Sequence, residues 1–177
     1  GGRIKKIARA VSHMLVIFPF EEEIYRKAGI PATYVGHPLA QVIPMEPDQA
    51  GAREALGLPT GAPVVAILPG SRMSELKYNA VAFVAAAKLL LQRDPTLRFV
   101  APMAGAPQRR YFGELIAQAG LQDVPIQVID GQSHRALAAA DAVLVASGTA
   151  SLEVALFKRP MVIAYKMMRA SWHVLRH

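Results

Sequence analysis

From Pro63 onward, short apolar runs rich in β-branched residues alternate strictly with helical patterns, and this alternation constrains the fold more than any other feature. The spacing predicts strands at 64–68, 97–101, 126–130, 142–146 and 161–165. It predicts helices at 79–92, 107–119, 133–140, 149–157 and from about 170. Continuous apolar strands separated by helices imply an α/β fold, a doubly wound parallel sheet covered on both faces. In the common strand order 3-2-1-4-5 the first and fourth strands are neighbours. Ligands then bind in the crevice at the carboxyl ends of that pair.

Both of those strands run into glycine turns. The first ends in Pro69-Gly70-Ser71-Arg72, and the fourth in Ser147-Gly148-Thr149 before a helix that opens at Ala150. Free backbone N–H groups at a helix start attract anions, and the absent Cβ of Gly148 lets a phosphate approach the backbone. The Arg72 guanidinium can grip two phosphate oxygens at once. No Gly-Lys-Ser/Thr follows Gly70, so this is not a Walker loop. The alternative for Ser147–Thr149 is an ordinary strand-to-helix turn with a Ser or Thr cap. Two such loops at one switch point argue instead for a phosphorylated ligand, a nucleotide. Glu153, four residues past Thr149, leans back toward the helix start, where a carboxylate can accept both hydroxyls of a ribose. Its other reading is a Glu that favours the helix N-terminus.

Composition narrows the chemistry. Of 177 residues, 53% are hydrophobic and 19% charged, which builds a core rather than a disordered chain. With no cysteine, disulfides and thiolate metal sites are excluded. The five histidines, at 13, 37, 134, 173 and 177, lack the pairing of a metal site, and no metal is expected. The net charge of +7 is uneven: no carboxylate follows Glu153, while Lys158, Arg159, Lys166, Arg169 and Arg176 do. A basic surface suits a phosphorylated substrate or anionic lipid. No nucleic-acid module accompanies it, so nucleic acid is not an expected partner. Met167, Met168, Trp172 and Leu175 mix with the basic residues as in a helix lying on anionic lipid, or as in a terminal helix packed on its own protein.

The first 40 residues read as the remnant of a preceding domain. Ile4, Ile7 and Val11 share a helical face, His13–Phe18 reads as a buried strand, Glu21–Ala28 as a helix stopped by Gly29, and Pro31–Val35 as a strand. Two strands and two helices are too few for a domain, and Gly1-Gly2-Arg3 suggests a cut chain. His37 sits where the strand meets the linker, facing a cleft or merely half buried. Residues 41–62 read as linker and connecting helix, and 63–177 as the nucleotide-binding domain, which the resemblance given below makes a nucleotide-sugar-binding domain truncated at its C-terminus.

Ile67-Leu68-Pro69-Gly70-Ser71-Arg72 with Glu75, and Ala146-Ser147-Gly148-Thr149-Ala150 with Glu153, resemble the lipid-A-disaccharide synthase family. Lys158-Arg159-Pro160-Met161-Val162 with Tyr165-Lys166, and Val35-Gly36-His37-Pro38-Leu39, are similar to it too. The likeness runs from about Ile4 to Trp172. It implies an inverting glycosyltransferase of the two-Rossmann-domain, GT-B type, of which 63–177 is the C-terminal donor domain and 1–40 the end of the acceptor domain. Such an enzyme joins UDP-2,3-diacylglucosamine to 2,3-diacylglucosamine 1-phosphate, releasing UDP, at the cytoplasmic face of the bacterial inner membrane. The UDP-sugar is a substrate, and no cofactor is implied. By the likeness Arg72 contacts the donor phosphates, the amides around Ser147 to Ala150 cradle them, and Glu153 holds the ribose. Glu75, His37, Tyr165 and Lys166 are further cleft candidates. The general base belongs to the first domain, so no catalytic residue is assigned, and the fragment is expected not to turn over alone. Another UDP-sugar enzyme of this fold, an epimerase or a different transferase, and a non-catalytic nucleotide-binding module stay open as alternatives.

Overall fold

The computed structural model describes residues 2–166, so the basic segment beyond Lys166 lies outside the described residues. The chain divides into two compact units between Pro44 and Met45.

The first unit contains α1 (Gly2–Ala10), β1 (Met14–Val16), α2 (Pro19–Lys27), β2 (Ala32–Tyr34) and α3 (Leu39–Val42). β1 and β2 pair in parallel, Met14 opposite Ala32 and Val16 opposite Tyr34. Helix α2 starts where Pro19 fixes φ and the Glu21 carboxylate accepts the Phe18 N–H at 3.0 Å. The strand expected over 13–18 is only three residues long, and Leu15 is exposed rather than buried. A two-stranded sheet supplies too little cover to enclose both faces of a strand. Part of the expected linker is helical, in α3.

The second unit contains α4 (Gln49–Leu56), β3 (Val64–Leu68), α5 (Met73–Arg93), β4 (Arg98–Met103), α6 (Ala106–Gln118), β5 (Ile126–Asp130), α7 (Ser133–Ala139), β6 (Ala142–Ala146), α8 (Ala150–Leu156) and β7 (Met161–Ala164). Its five strands are all parallel, in the order β5-β4-β3-β6-β7. In the numbering of this sheet alone that is 3-2-1-4-5, the expected order. β3 is central and reads as an unbroken apolar run because both its faces are covered. Val65 and Ile67 face a core built with Leu76, Phe83, Phe99 and Phe112 from α5, β4 and α6. Val64 and Ala66, fully buried, face the other layer, where α7 packs on β3 and β4.

Helix α4 is bound into this unit. Asp48 caps it, accepting the Gly51 N–H at 2.9 Å, and Gly57 ends it at φ 65°. The buried Arg53 donates through Nε to the Ala139 carbonyl at 2.9 Å and through Nη1 to that of Thr60 at 2.9 Å. Its Nη2 meets Asp141 Oδ2 at 2.7 Å, an oxygen that also accepts the Val64 N–H at 2.8 Å. Gln49 donates to the Ala140 carbonyl at 3.0 Å. Arg159 donates to the carbonyls of Leu137 and Ala138, so the carboxyl end of α7 is held from two sides.

Helix α5 begins six residues before the expected position, at Met73. The Glu75 carboxylate accepts the N–H groups of Ser71 and Arg72 at 3.2 and 3.4 Å, satisfying donors that a helix start leaves free. The polar first turn therefore belongs to the helix, and the Gly70 loop feeds directly into it.

Candidate functional site

A cavity of about 460 Å³ opens at the carboxyl ends of β3, β4 and β6. Gly70, Ser71, Arg72 and Glu75 form one wall, and Ser147, Gly148, Thr149, Ala150 and Glu153 the opposite one. Pro102, Met103 and Ala104 beyond β4, with Gly131 and Ser133 beyond β5, contribute further lining. The two glycine loops meet because β3 and β6 are hydrogen-bonded neighbours, with Leu68 in register with Val145.

On the first wall, Gly70 has φ 126°, and a Cβ there would stand 2.7 Å from the Glu75 Cβ. Glycine is required both by conformation and by that approach. Arg72 Nη1 donates to Glu75 Oε1 at 2.6 Å. Burial pushes the Glu75 carboxyl up, but the hydrogen bonds and charge of Arg72 and the Ser71 N–H outweigh it and hold it below the usual range. The Arg72 side chain stays 77% exposed, within reach of an incoming anion. Gln108 of α6 fixes the loop by donating to the Ser71 carbonyl at 3.1 Å.

On the second wall, the alternative reading of a Thr149 cap does not hold: Thr149 makes no side-chain capping bond. Ser151 Oγ instead donates to the Gly148 carbonyl at 2.7 Å. Among the described residues, the N–H groups of Gly148, Thr149 and Ala150 have no acceptor. The amide of Ser147 is not free, because it donates to the Ala164 carbonyl at 2.9 Å and continues the β6–β7 ladder. The amides left free at this turn are therefore those of Gly148 to Ala150, with Ser147 only lining the cavity. Nothing stands within 4 Å of the position a Gly148 Cβ would take.

Glu153 lies in the first turn of α8 and lines the cavity. Its Oε2 is 3.3 Å from Nε2 of His134, the second residue of α7. The His134 ring rests on Phe157, centroids 5.4 Å apart. Sequence reasoning left His134 among scattered histidines, because 19 positions separate it from Glu153. Its place just after the third strand of the unit was the available signal, since every βα turn of such a sheet meets the same edge.

Tyr165 and Lys166 are not part of the cavity lining. They follow the edge strand β7, and the Lys166 N–H donates to the buried Asn79 Oδ1 at 2.9 Å. His37 belongs to the first unit, where its Nδ1 accepts the Leu39 N–H at 3.2 Å and its ring lies 5.7 Å from that of Phe18. No cluster of three or more metal-ligating side chains occurs among the described residues.

Known proteins bear on this geometry. The family model described as lipid-A-disaccharide synthetase matches residues 2–176. The lipid-A-disaccharide synthase of Cupriavidus pinatubonensis is 59% identical over 94% of this chain and 41% of its own length. That of Aromatoleum aromaticum is 52% identical over 99% of this chain and 45% of its own. The chain thus spans less than half the length of these relatives. Among solved structures, the C-terminal domain of a glycosyl transferase group 1 family protein from Francisella tularensis is similar with a TM-score of 0.53. It is 22% identical and covers 70% of this chain and 68% of its own. A glycosyltransferase from Rickettsia africae is similar with a TM-score of 0.56 and 15% identity, over 84% of this chain and 43% of its own. These two likenesses concern the fold, a GT-B-type Rossmann-like sheet. The family model and the relatives together show that this chain belongs to the lipid-A-disaccharide synthetase family.

Proposed function

We propose that the cavity binds the uridine diphosphate end of a UDP-sugar and that the chain is the donor-binding part of a lipid-A-disaccharide synthase. The whole enzyme would condense UDP-2,3-diacylglucosamine with 2,3-diacylglucosamine 1-phosphate and release UDP. The observation that carries this reading is that both glycine loops, one with a guanidinium and one with three amides unpartnered among the described residues, wall a single cavity at a switch point.

Departure of UDP places new negative charge on the β-phosphate. The amides of Gly148 to Ala150 face that charge without having to reorganise, and Arg72, shared with Glu75, adds a cation, so that both favour bond breaking. Glu153 accepts the ribose hydroxyls and fixes the nucleoside. A base must still deprotonate the acceptor hydroxyl. It is not assigned to this chain, and Glu153 is spent on the sugar. The reading requires no cofactor and no nucleic acid, since the UDP-sugar is itself the substrate.

The acyl chains of both substrates place the reaction at a membrane surface, which the uneven basic charge after Glu153 would favour at the cytoplasmic face of an inner membrane. Among the described residues no helix is long and apolar enough to cross a membrane, so peripheral contact is the form proposed. Titration calorimetry with UDP tests the nucleotide reading: saturable binding, displaced by UDP-sugars, is expected. Heat no larger than dilution at millimolar UDP would overturn it.

A further inference from the structure

We infer that His134 is a positioning residue for Glu153, setting the carboxylate that reads the ribose; this rests on the nucleotide reading above. The imidazole touches Glu153 in α8 and Phe157, the C-cap residue one turn further on. Its ring lies against the buried Phe157, and its Nε2 stands 3.3 Å from Glu153 Oε2. Residues four apart share a helix face, so the two contacts pin one ring in one place. His134 also starts α7, whose far end is held by Arg53, Gln49 and Arg159. The ring is thus carried by a fixed helix rather than by a loose side chain.

Glu153 has a flexible side chain, 24% exposed, and no other described side chain meets its carboxylate. Left alone, it would sample several rotamers over the cavity mouth. With the His134 Nε2 standing 3.3 Å from Oε2, one orientation is favoured and Oε1 remains for the ligand. A group that orients a ligand-binding carboxylate from behind raises discrimination as well as affinity, because misdirected rotamers no longer compete. His134 does not line the cavity, so it acts through Glu153 and not on the nucleotide.

The test compares UDP with 2′-deoxy-UDP by calorimetry on the full chain at one salt concentration. The readout is the ratio of the two affinities, which general destabilisation does not move. Glu153→Ala should reduce this ratio by about three-fold or more. His134→Phe keeps a ring against Phe157 but offers no nitrogen, and should reduce the ratio by about two- to five-fold. His134→Gln, which can still donate to Glu153, should restore most of it. If His134→Phe does not fold, His134→Ala carries the same comparison. A wild-type ratio in a His134 variant that lacks the donor, with the ratio lowered in Glu153→Ala, overturns the positioning role alone. An unchanged ratio in Glu153→Ala overturns the ribose reading and this inference together. Equal losses in His134→Phe and His134→Gln would overturn the donor role of the ring.

Discussion

Arg72 and Glu75 form an ion pair of 2.6 Å across the first turn of α5, at the mouth of the cavity. The same carboxylate accepts two backbone N–H groups of the loop that holds Arg72. One residue therefore shapes the Gly70 loop and partly neutralises its cation. On the proposed nucleotide reading, an entering diphosphate would compete with Glu75 for the guanidinium.

Removing the cation should weaken UDP. Arg72→Ala is expected to cost about 1–2 kcal/mol of binding, some five- to thirty-fold, a figure kept low because the side chain is exposed and screened. Calorimetry on the folded variant measures it. Unchanged affinity would remove Arg72 from the site.

Glu75→Gln separates the two roles of that side chain. The amide oxygen can still accept from the loop, so thermal stability should fall by no more than about 1 kcal/mol. UDP should bind a few-fold more tightly, with a steeper salt dependence, because Arg72 is no longer shared. Weaker binding at both low and high salt would mean that the carboxylate mainly orients Arg72.

Gly70→Ala meets both conformational strain at φ 126° and a contact of 2.7 Å with the Glu75 Cβ. A loss of about 2–3 kcal/mol in denaturant unfolding is expected. Gly61→Ala, with open space at its Cβ, is the control and should change stability far less.

Asp141 sets an acid limit on the second unit. Burial raises its pKa, but the Val64 N–H, Gln49 and Arg53 together hold it below the ordinary 3.8. With the folded value depressed, its stabilisation is fully present above the unfolded value and is lost as pH falls through the folded one. Melting temperature should therefore drop more steeply below about pH 4 in wild type than in Asp141→Asn. At neutral pH the same variant should be less stable by about 1–2 kcal/mol, since the buried Arg53 loses its counter-charge while solvent around the half-exposed Asp141 screens the pair. Parallel melting curves for the two proteins between pH 3 and 6 would refute this.

The basic segment after Glu153 gives a lipid test. Co-sedimentation should favour vesicles containing anionic lipid over neutral ones, and the preference should fade at high salt. Equal partitioning onto both would exclude an electrostatic contact.

The strand order and the convergence of Gly70 with Gly148 were legible because buried parallel strands leave continuous apolar runs, and the switch point follows from their order. The start of α5 was not legible. Its first turn, Met73 to Lys77, is largely polar, and the residue before it is Arg72 rather than a Ser, Thr or Asp. The His134–Glu153 pair was hidden for another reason: it joins two helices through tertiary packing, which no local spacing encodes. The amide of Ser147 was misassigned because a ladder bond to Ala164 depends on β7, a strand that begins 14 residues later.

The grip of Arg53 and Gln49 on the end of α7 bears on where this unit can be cut. A piece starting at Pro63 would retain every strand of the sheet and both glycine loops, and would look complete on a hydropathy plot. It would lose Arg53 and Gln49, leaving the Asp141 carboxylate to the Val64 N–H and the carbonyl of Ala139 without the Arg53 Nε. For crystallisation or ligand screening of the cavity, the excised protein should begin no later than Asp48, whose side chain caps the helix that carries both anchors.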